Sequence, residues 1–135
     1  MGVSMMEWIE ALSNPQPVLA IYGNKLPALD KVRIEELVLS VNGPTLRLRF
    51  DLAEFPADPP AKWRRDGLEV VQIELAFGGL QAISINELTV DSICDLTVRK
   101  DGPVRFSGES DSVKLHGLAD TATILRVSAY AMGSF

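Results

Sequence analysis

The chain has 135 residues, 47% hydrophobic and 23% charged, with 13 Lys and Arg against 18 Asp and Glu for a net charge of −5. This length points to one domain, residues 1–135, able to bury a core without a metal or disulfide, and the composition excludes a disordered chain. The acidic balance argues against nucleic acid as a partner and toward a basic one, while the lone Cys94 rules out an internal disulfide and fits a reducing compartment.

The N-terminus has no basic region followed by an apolar stretch and cleavage site. No apolar run approaches the roughly eighteen residues that would span a bilayer. Met6 stands where a myristoylation signal requires Ser or Thr. The expectation is a cytoplasmic protein without a membrane partner.

Ser4 to Leu12 reads as one short helix, with Ser4 as N-cap, Glu7 three residues on, and Met5, Trp8, Ile9 and Leu12 on one face. Trp8 is expected to anchor this helix on the sheet. Asn14-Pro15 and Pro17 end it. Val18 to Tyr22 is a short apolar run, followed by a turn segment through Gly23-Asn24 and Pro27, with Leu29 turned inward.

Val32 to Leu52 reads as a hairpin around Asn42-Gly43-Pro44. Its second arm alternates strictly: Leu46, Leu48, Phe50 and Leu52 on one side, Thr45, Arg47, Arg49 and Asp51 on the other. The first arm changes phase between Ile34 and Leu37, which predicts a bulge at Glu35-Glu36. A proline-rich exit, Phe55-Pro56-Ala57-Asp58-Pro59-Pro60, is closed by Lys62-Trp63 and followed by a charged loop, Arg64 to Gly67; the basic cluster Lys62 to Arg65 reads as a loop in which Trp63 packs down. A strand follows at Leu68–Phe77, with Val71, Ile73, Leu75 and Phe77 inward. Gly78-Gly79 reads as a two-residue hairpin. Leu80–Val90 returns with a second bulge near Asn86-Glu87, then Ser92–Arg99. Asp101-Gly102-Pro103 turns into Val104–Gly108, and Val113–His116 and Thr121–Tyr130 close the system.

The predicted fold is therefore mainly β: an antiparallel sandwich or open barrel of about eight strands, spanning about residues 18–130, with one short N-terminal helix at about 4–12. The last residues, Ala131 to Phe135, are expected to be loosely held.

Reaction chemistry is sparse. His116 is the one histidine, in a surface setting beside Lys114, so a nucleophile–base pair has little to draw on. Metal sites built from several His and Cys are excluded by count. No phosphate loop or dinucleotide fingerprint occurs. Carboxylates are plentiful, and a carboxylate enzyme would need two of them in one cleft with separated pKa values; a solvated acidic face is the simpler reading. Cys94 reads as a small buried apolar residue. No cofactor is implied.

Beyond these physical signals, the stretch from Ile21 to Trp63 carries a pattern: Tyr22-Gly23, Pro27, Leu29, the Gly43-Pro44-Thr45 turn, Arg49-Phe50-Asp51-Leu52, Phe55-Pro56, Pro59-Pro60 and Trp63. It continues through Val71-Gln72-Ile73, Phe77-Gly78, Phe106-Ser107-Gly108 and Ser128-Ala129-Tyr130. In these features the chain resembles the immunity protein 50 family of bacterial polymorphic toxin systems. The resemblance implies a non-enzymatic inhibitor that binds and neutralises a cognate toxin domain, and it supplies no catalytic residue. The acidic charge would suit a basic toxin such as a nuclease. The contact is expected on Asp51, Glu54 and Asp58, then Glu35 and Glu36, with Phe55 and Trp63 as aromatic anchors; the alternative is that Phe55 to Trp63 is a rigid loop covering a sheet edge. A small-molecule-binding β-barrel is the competing function. Monomer and homodimer are left open.

Overall fold

The computed structural model describes residues 5–132. The Ser4 cap and the end of the predicted tail, residues 133–135, lie outside the described residues, as does the side chain of Met5. Among the described residues there are three short helices, α1 (Met5–Glu10), α2 (Gln16–Tyr22) and α3 (Ala61–Arg65), and six strands. The strands are β1 (Val32–Ser40), β2 (Thr45–Asp51), β3 (Val70–Leu88), β4 (Ile93–Lys100), β5 (Val104–Glu109) and β6 (Val113–Tyr130).

All six strands are antiparallel in one sheet, in the order β1-β2-β3-β6-β5-β4. The two outer strands meet over two residue pairs, Val32–Cys94 and Arg33–Ile93. One continuous sheet, curved until its edges touch, thus takes the place of a two-sheet sandwich.

The expected eight strands become six because two predicted breaks are not breaks. β3 runs through Gly78-Gly79 for 19 residues, and β6 runs from Val113 through Ala119-Asp120 for 18. The glycines serve close approach rather than a hairpin. A side chain at Gly78 would meet Thr121 Oγ1 at 2.9 Å, and Gly79 takes φ +59° against Asp120. Register shifts beside Leu75, at Gln81 and at Asn86 let the two long strands coil together, each shared between both halves of the sheet. The Asn86 irregularity matches the predicted second bulge.

The single-helix expectation is likewise corrected. The Val18–Tyr22 run is the body of α2, because Pro17 sits in the first turn, where a missing N–H costs nothing. The Lys62–Arg65 cluster, expected as loop, lies within α3, started by Pro60, whose carbonyl accepts from Trp63 N at 2.9 Å and Arg64 N at 3.2 Å.

Inward residues follow the predicted parity. Leu46, Leu48 and Phe50 of β2 and Val71, Ile73, Leu75 and Phe77 of β3 are fully buried. Each contributes about 1.5–3 kcal/mol of apolar transfer free energy. Phe77 stacks on Phe106 of β5 at a centroid distance of 4.0 Å. Trp8, Ile9 and Leu12 join this core, and Trp8 Nε1 donates to Pro27 O at 3.0 Å, which fixes α1 as anticipated. Asn14 grips β6 at Ile124 through two hydrogen bonds, Nδ2 to the carbonyl at 2.9 Å and Oδ1 from the N–H at 2.8 Å. Leu29 is inward, and Cys94 is buried with its thiol pushed up to about 11 by burial and the Asp95 charge.

Candidate functional site

The bulge in β1 is where the surface polar groups converge. Ile34 pairs with Phe50 and Glu36 with Arg49, so Glu35 is the extra residue. That places Glu35 on the outer face over β2, against Asp51. The alternation of β2 puts Asp51 outward, yet it is only 7% exposed because neighbours cover it. Asp51 Oδ1 accepts from Gln72 Nε2 at 2.9 Å, and Oδ2 accepts a short hydrogen bond from the Tyr130 hydroxyl. Gln72 Oε1 in turn accepts from Arg49 Nη1 at 3.4 Å, and Arg49 Nε lies 3.7 Å from Glu36. Four strands, β1, β2, β3 and β6, contribute to this network.

Its electrostatics follow from two carboxyls sharing one place. Burial, then a hydrogen bond to Asp51 and the Asp51 charge, raise the Glu35 pKa above its ordinary range, partly opposed by Arg33 and Arg49. Tyr130 is pushed up to about 12, by burial first and then by its bond to Asp51. Beside the network a cavity of about 210 Å³ is lined by Lys31, Arg33, Asp51, Tyr130 and Met132 among others. General acid–base chemistry needs a carboxylate that substrate can reach. Asp51 is covered and both its oxygens are engaged, so it serves as a fastening between strands.

The remaining predicted contact residues lie on the β2–β3 connection. Glu54 is exposed and its backbone carbonyl accepts from the Tyr22 hydroxyl at 2.7 Å, tying the connection to α2. Burial, then the Glu54 charge, raise the Tyr22 pKa. Phe55 and Trp63 are half-buried, their rings 6.2 Å apart and tilted by 40°, and both pack on the core. Asp58 is exposed and pairs with Arg64 at 3.1 Å. The structure therefore divides the predicted set. Asp51, Glu35 and Glu36 belong to the sheet network; Glu54, Phe55, Asp58 and Trp63 belong to the proline-rich connection. The aromatic pair supports its own loop from beneath, leaving the acidic residues outward.

Two features were not singled out in the sequence. The first is the meeting of Arg33, Gln72 and Tyr130 at Asp51, which only cross-strand pairing brings about; the sequence named Gln72 and Tyr130 only as parts of the family pattern. The second is a cleft of about 490 Å³ on β3, β4, β5 and β6, lined by Arg99, Arg105 and His116 over Ala82, Phe106 and Leu118. Arg99 and Arg105 are direct cross-strand partners, and Ser107 pairs with both Thr97 and His116. Arg105 also reaches Asp101 at 3.5 Å. Strand parity showed His116 outward; the register alone sets the arginines beside it. Among the described residues no group of three or more His, Cys, Asp and Glu is placed to hold a metal, and no helix is long and apolar enough to cross a membrane.

A single curved antiparallel sheet, fastened by a part-buried Asp–Tyr–Gln network, defines a small mainly β protein whose prominent features are surfaces. The chain belongs to the Immunity protein 50 family, whose family model matches residues 14–130. The resemblance carried by Arg49-Phe50-Asp51-Leu52 and the proline-rich exit is thereby established. No curated protein and no solved structure matches the chain. Membership of this family points to a toxin as partner; immunity proteins typically act without catalysis.

Proposed function

We propose that this chain neutralises one bacterial polymorphic toxin by direct protein–protein contact in the cytoplasm of the cell that makes the toxin. The observation that carries this reading is the family match across residues 14–130. The toxin it fits is a basic domain, such as a nuclease that must hold phosphates. A chain of net charge −5 would be steered toward such a partner, raising the association rate. The contact draws on the exposed acidic residues Glu54 and Asp58 of the β2–β3 connection and on Glu35 and Glu36 of β1. Asp51 acts from beneath by holding the strands in place. Phe55 and Trp63 contribute mainly by making the connection rigid, so little ordering is needed on binding.

The competing ligand-barrel function requires an interior pocket. The fully buried Phe50, Phe77, Leu46, Leu48, Ile73 and Leu75 fill the inward face with side chains instead.

The test is co-expression of this chain with the toxin domain encoded beside it, followed by recovery of the complex. Survival with a stable one-to-one complex supports the proposal. Cell death in the presence of soluble protein, with no complex formed, refutes it for that toxin.

A further inference from the structure

The line along which the sheet meets itself is short. β1 and β4 pair only at Val32–Cys94 and Arg33–Ile93, and the contact ends with Ile34, whose N–H donates to Ser92 O at 3.1 Å and whose carbonyl accepts from Ser92 Oγ at 2.5 Å. Beyond this point β1 continues for six more residues, to Ser40, paired on one side only among the described residues. Between its edge and the segment from Leu88 to Ser92 lies a groove of about 290 Å³.

Hydrogen-bond parity shows which backbone groups face that groove. Ile34 directs its N–H and C=O away from β2, so Ile34–Phe50 is a non-hydrogen-bonded pair. Such pairs recur at every second residue of β2, here opposite Leu48 and Leu46. Their partners on β1 are Leu37 and Leu39. The bulge at Glu35 thus leaves Leu37 and Leu39 with backbone donors and acceptors directed to the open side.

The same edge is apolar where surfaces usually are not. Leu39 is 48% exposed, Val41 88%, Leu88 43% and Val90 99%. Leu37, Leu88 and Val90 line the groove, with Glu35, Glu36 and Arg33 also in its lining, two carboxylates against one guanidinium. An unpaired strand edge with apolar flanks is a template for another strand.

We propose that this groove takes an extended, basic and apolar segment of the toxin as an added strand on β1, through the backbone of Leu37 and Leu39. This rests on the toxin-binding function proposed above and names the surface that performs it. Charge selects the occupant. A second copy of this chain would bring another net charge of −5 and another pair of glutamates to the groove. A segment with Lys or Arg flanking apolar residues meets Glu35 and Glu36 favourably and covers Val90 and Leu88.

The test uses the full chain and the toxin domain encoded beside it. Hydrogen exchange is followed at the Leu37 and Leu39 amides, free and in complex. Leu39→Pro removes one outward donor while leaving the β2 ladder intact, and Val90→Asp alters a fully exposed side chain. The expected result is new protection at both amides on complex formation. Toxin affinity should fall about tenfold or more in Leu39→Pro, with the melting profile retained. If Leu39→Pro perturbs the fold, Val90→Asp and the exchange data decide.

A complex in which these amides exchange as in the free chain, and Val90→Asp binds as wild type, overturns the strand-addition proposal and leaves the immunity function standing. Absence of any complex with wild-type protein overturns both. Protection of the same amides in the free protein, together with a dimer mass, would assign the groove to a second copy and overturn the choice of partner.

Discussion

The Tyr130 hydroxyl donates to Asp51 Oδ2 across 79 residues of sequence, joining the last strand to the end of β2. Asp51 also accepts from Gln72, so two donors are left without an acceptor when the carboxylate is removed. Asp51→Ala should cost about 1–3 kcal/mol, read as a lower urea midpoint at unchanged slope. Tyr130→Phe should also destabilise, by about 1 kcal/mol or more, because it leaves Oδ2 of the buried Asp51 without its donor. An Asp51→Ala variant as stable as wild type would show that the network fastens nothing.

Tyrosine ionisation tests the same bond. Tyr130 is pushed up to about 12, against an ordinary value of 10.0. The unfolded chain releases this proton first, so the stabilising contribution is whole below about pH 10 and is lost as pH rises toward 12. Tyr22, the second of the two tyrosines, is also raised. Tyrosinate absorbance should therefore be nearly absent at pH 10 in the folded protein and appear at once on unfolding in urea. Ordinary titration near pH 10 in the folded state would contradict the bond to Asp51 for Tyr130 and the burial for Tyr22.

Glu35 gives a slope at the acid end. Its pKa lies above the ordinary 4.5, by burial and its bond to Asp51. A raised carboxyl stabilises the fold while protonated, so its contribution is complete below about pH 4.5 and declines as pH rises through the raised value. Glu35→Gln, which stays neutral, should flatten that part of the pH–stability curve. The comparison is of urea midpoints for the two proteins between pH 4 and 7, and parallel curves would dismiss the coupling.

Gly117 lies where β6 crosses under the Phe106 ring. An added methyl would meet Phe106 Cζ at 2.5 Å and the Ala82 carbonyl at 2.6 Å. Gly117→Ala should therefore destabilise by about 1–3 kcal/mol through overpacking, and Phe106→Leu should partly relieve it. Additive effects of the two substitutions would mean that the ring and the glycine do not share this space.

Charge reversal at the proline-rich connection separates binding from stability. Asp58 and Arg64 are both well exposed, and pairs of that kind contribute little. Glu54→Lys with Asp58→Lys should leave the melting temperature within about 3 °C of wild type while slowing association with a basic toxin domain. Stopped-flow rates at low and high salt provide the measurement. Equal rates for both proteins at low salt would remove this connection from the contact.

The amino-acid sequence determined what depends on neighbours along the chain. Period-two alternation from Leu46 to Leu52 and from Val71 to Phe77 named the inward residues, because a strand's side chains must alternate wherever one face is buried. The phase change at Glu35 named the bulge, and Asn42-Gly43-Pro44 and Asp101-Gly102-Pro103 named two turns. The family, too, was legible, in the spacing of Arg49 to Trp63.

The tertiary structure decided what depends on partners far along the chain. Gly78-Gly79 carries the same local signal whether the chain reverses or continues; pairing of β3 with β6 settles it as a bend in one long strand. Asp51 looks like any outward carboxylate until Tyr130 and Gln72 cover it. Arg99 and Arg105 are two residues in separate arms until register sets them side by side. The open edge at Leu37 and Leu39 exists only because β4 parts from β1 after Arg33. Register is a relation between strands, fixed by total core burial and sheet coiling, and no window along one strand contains it.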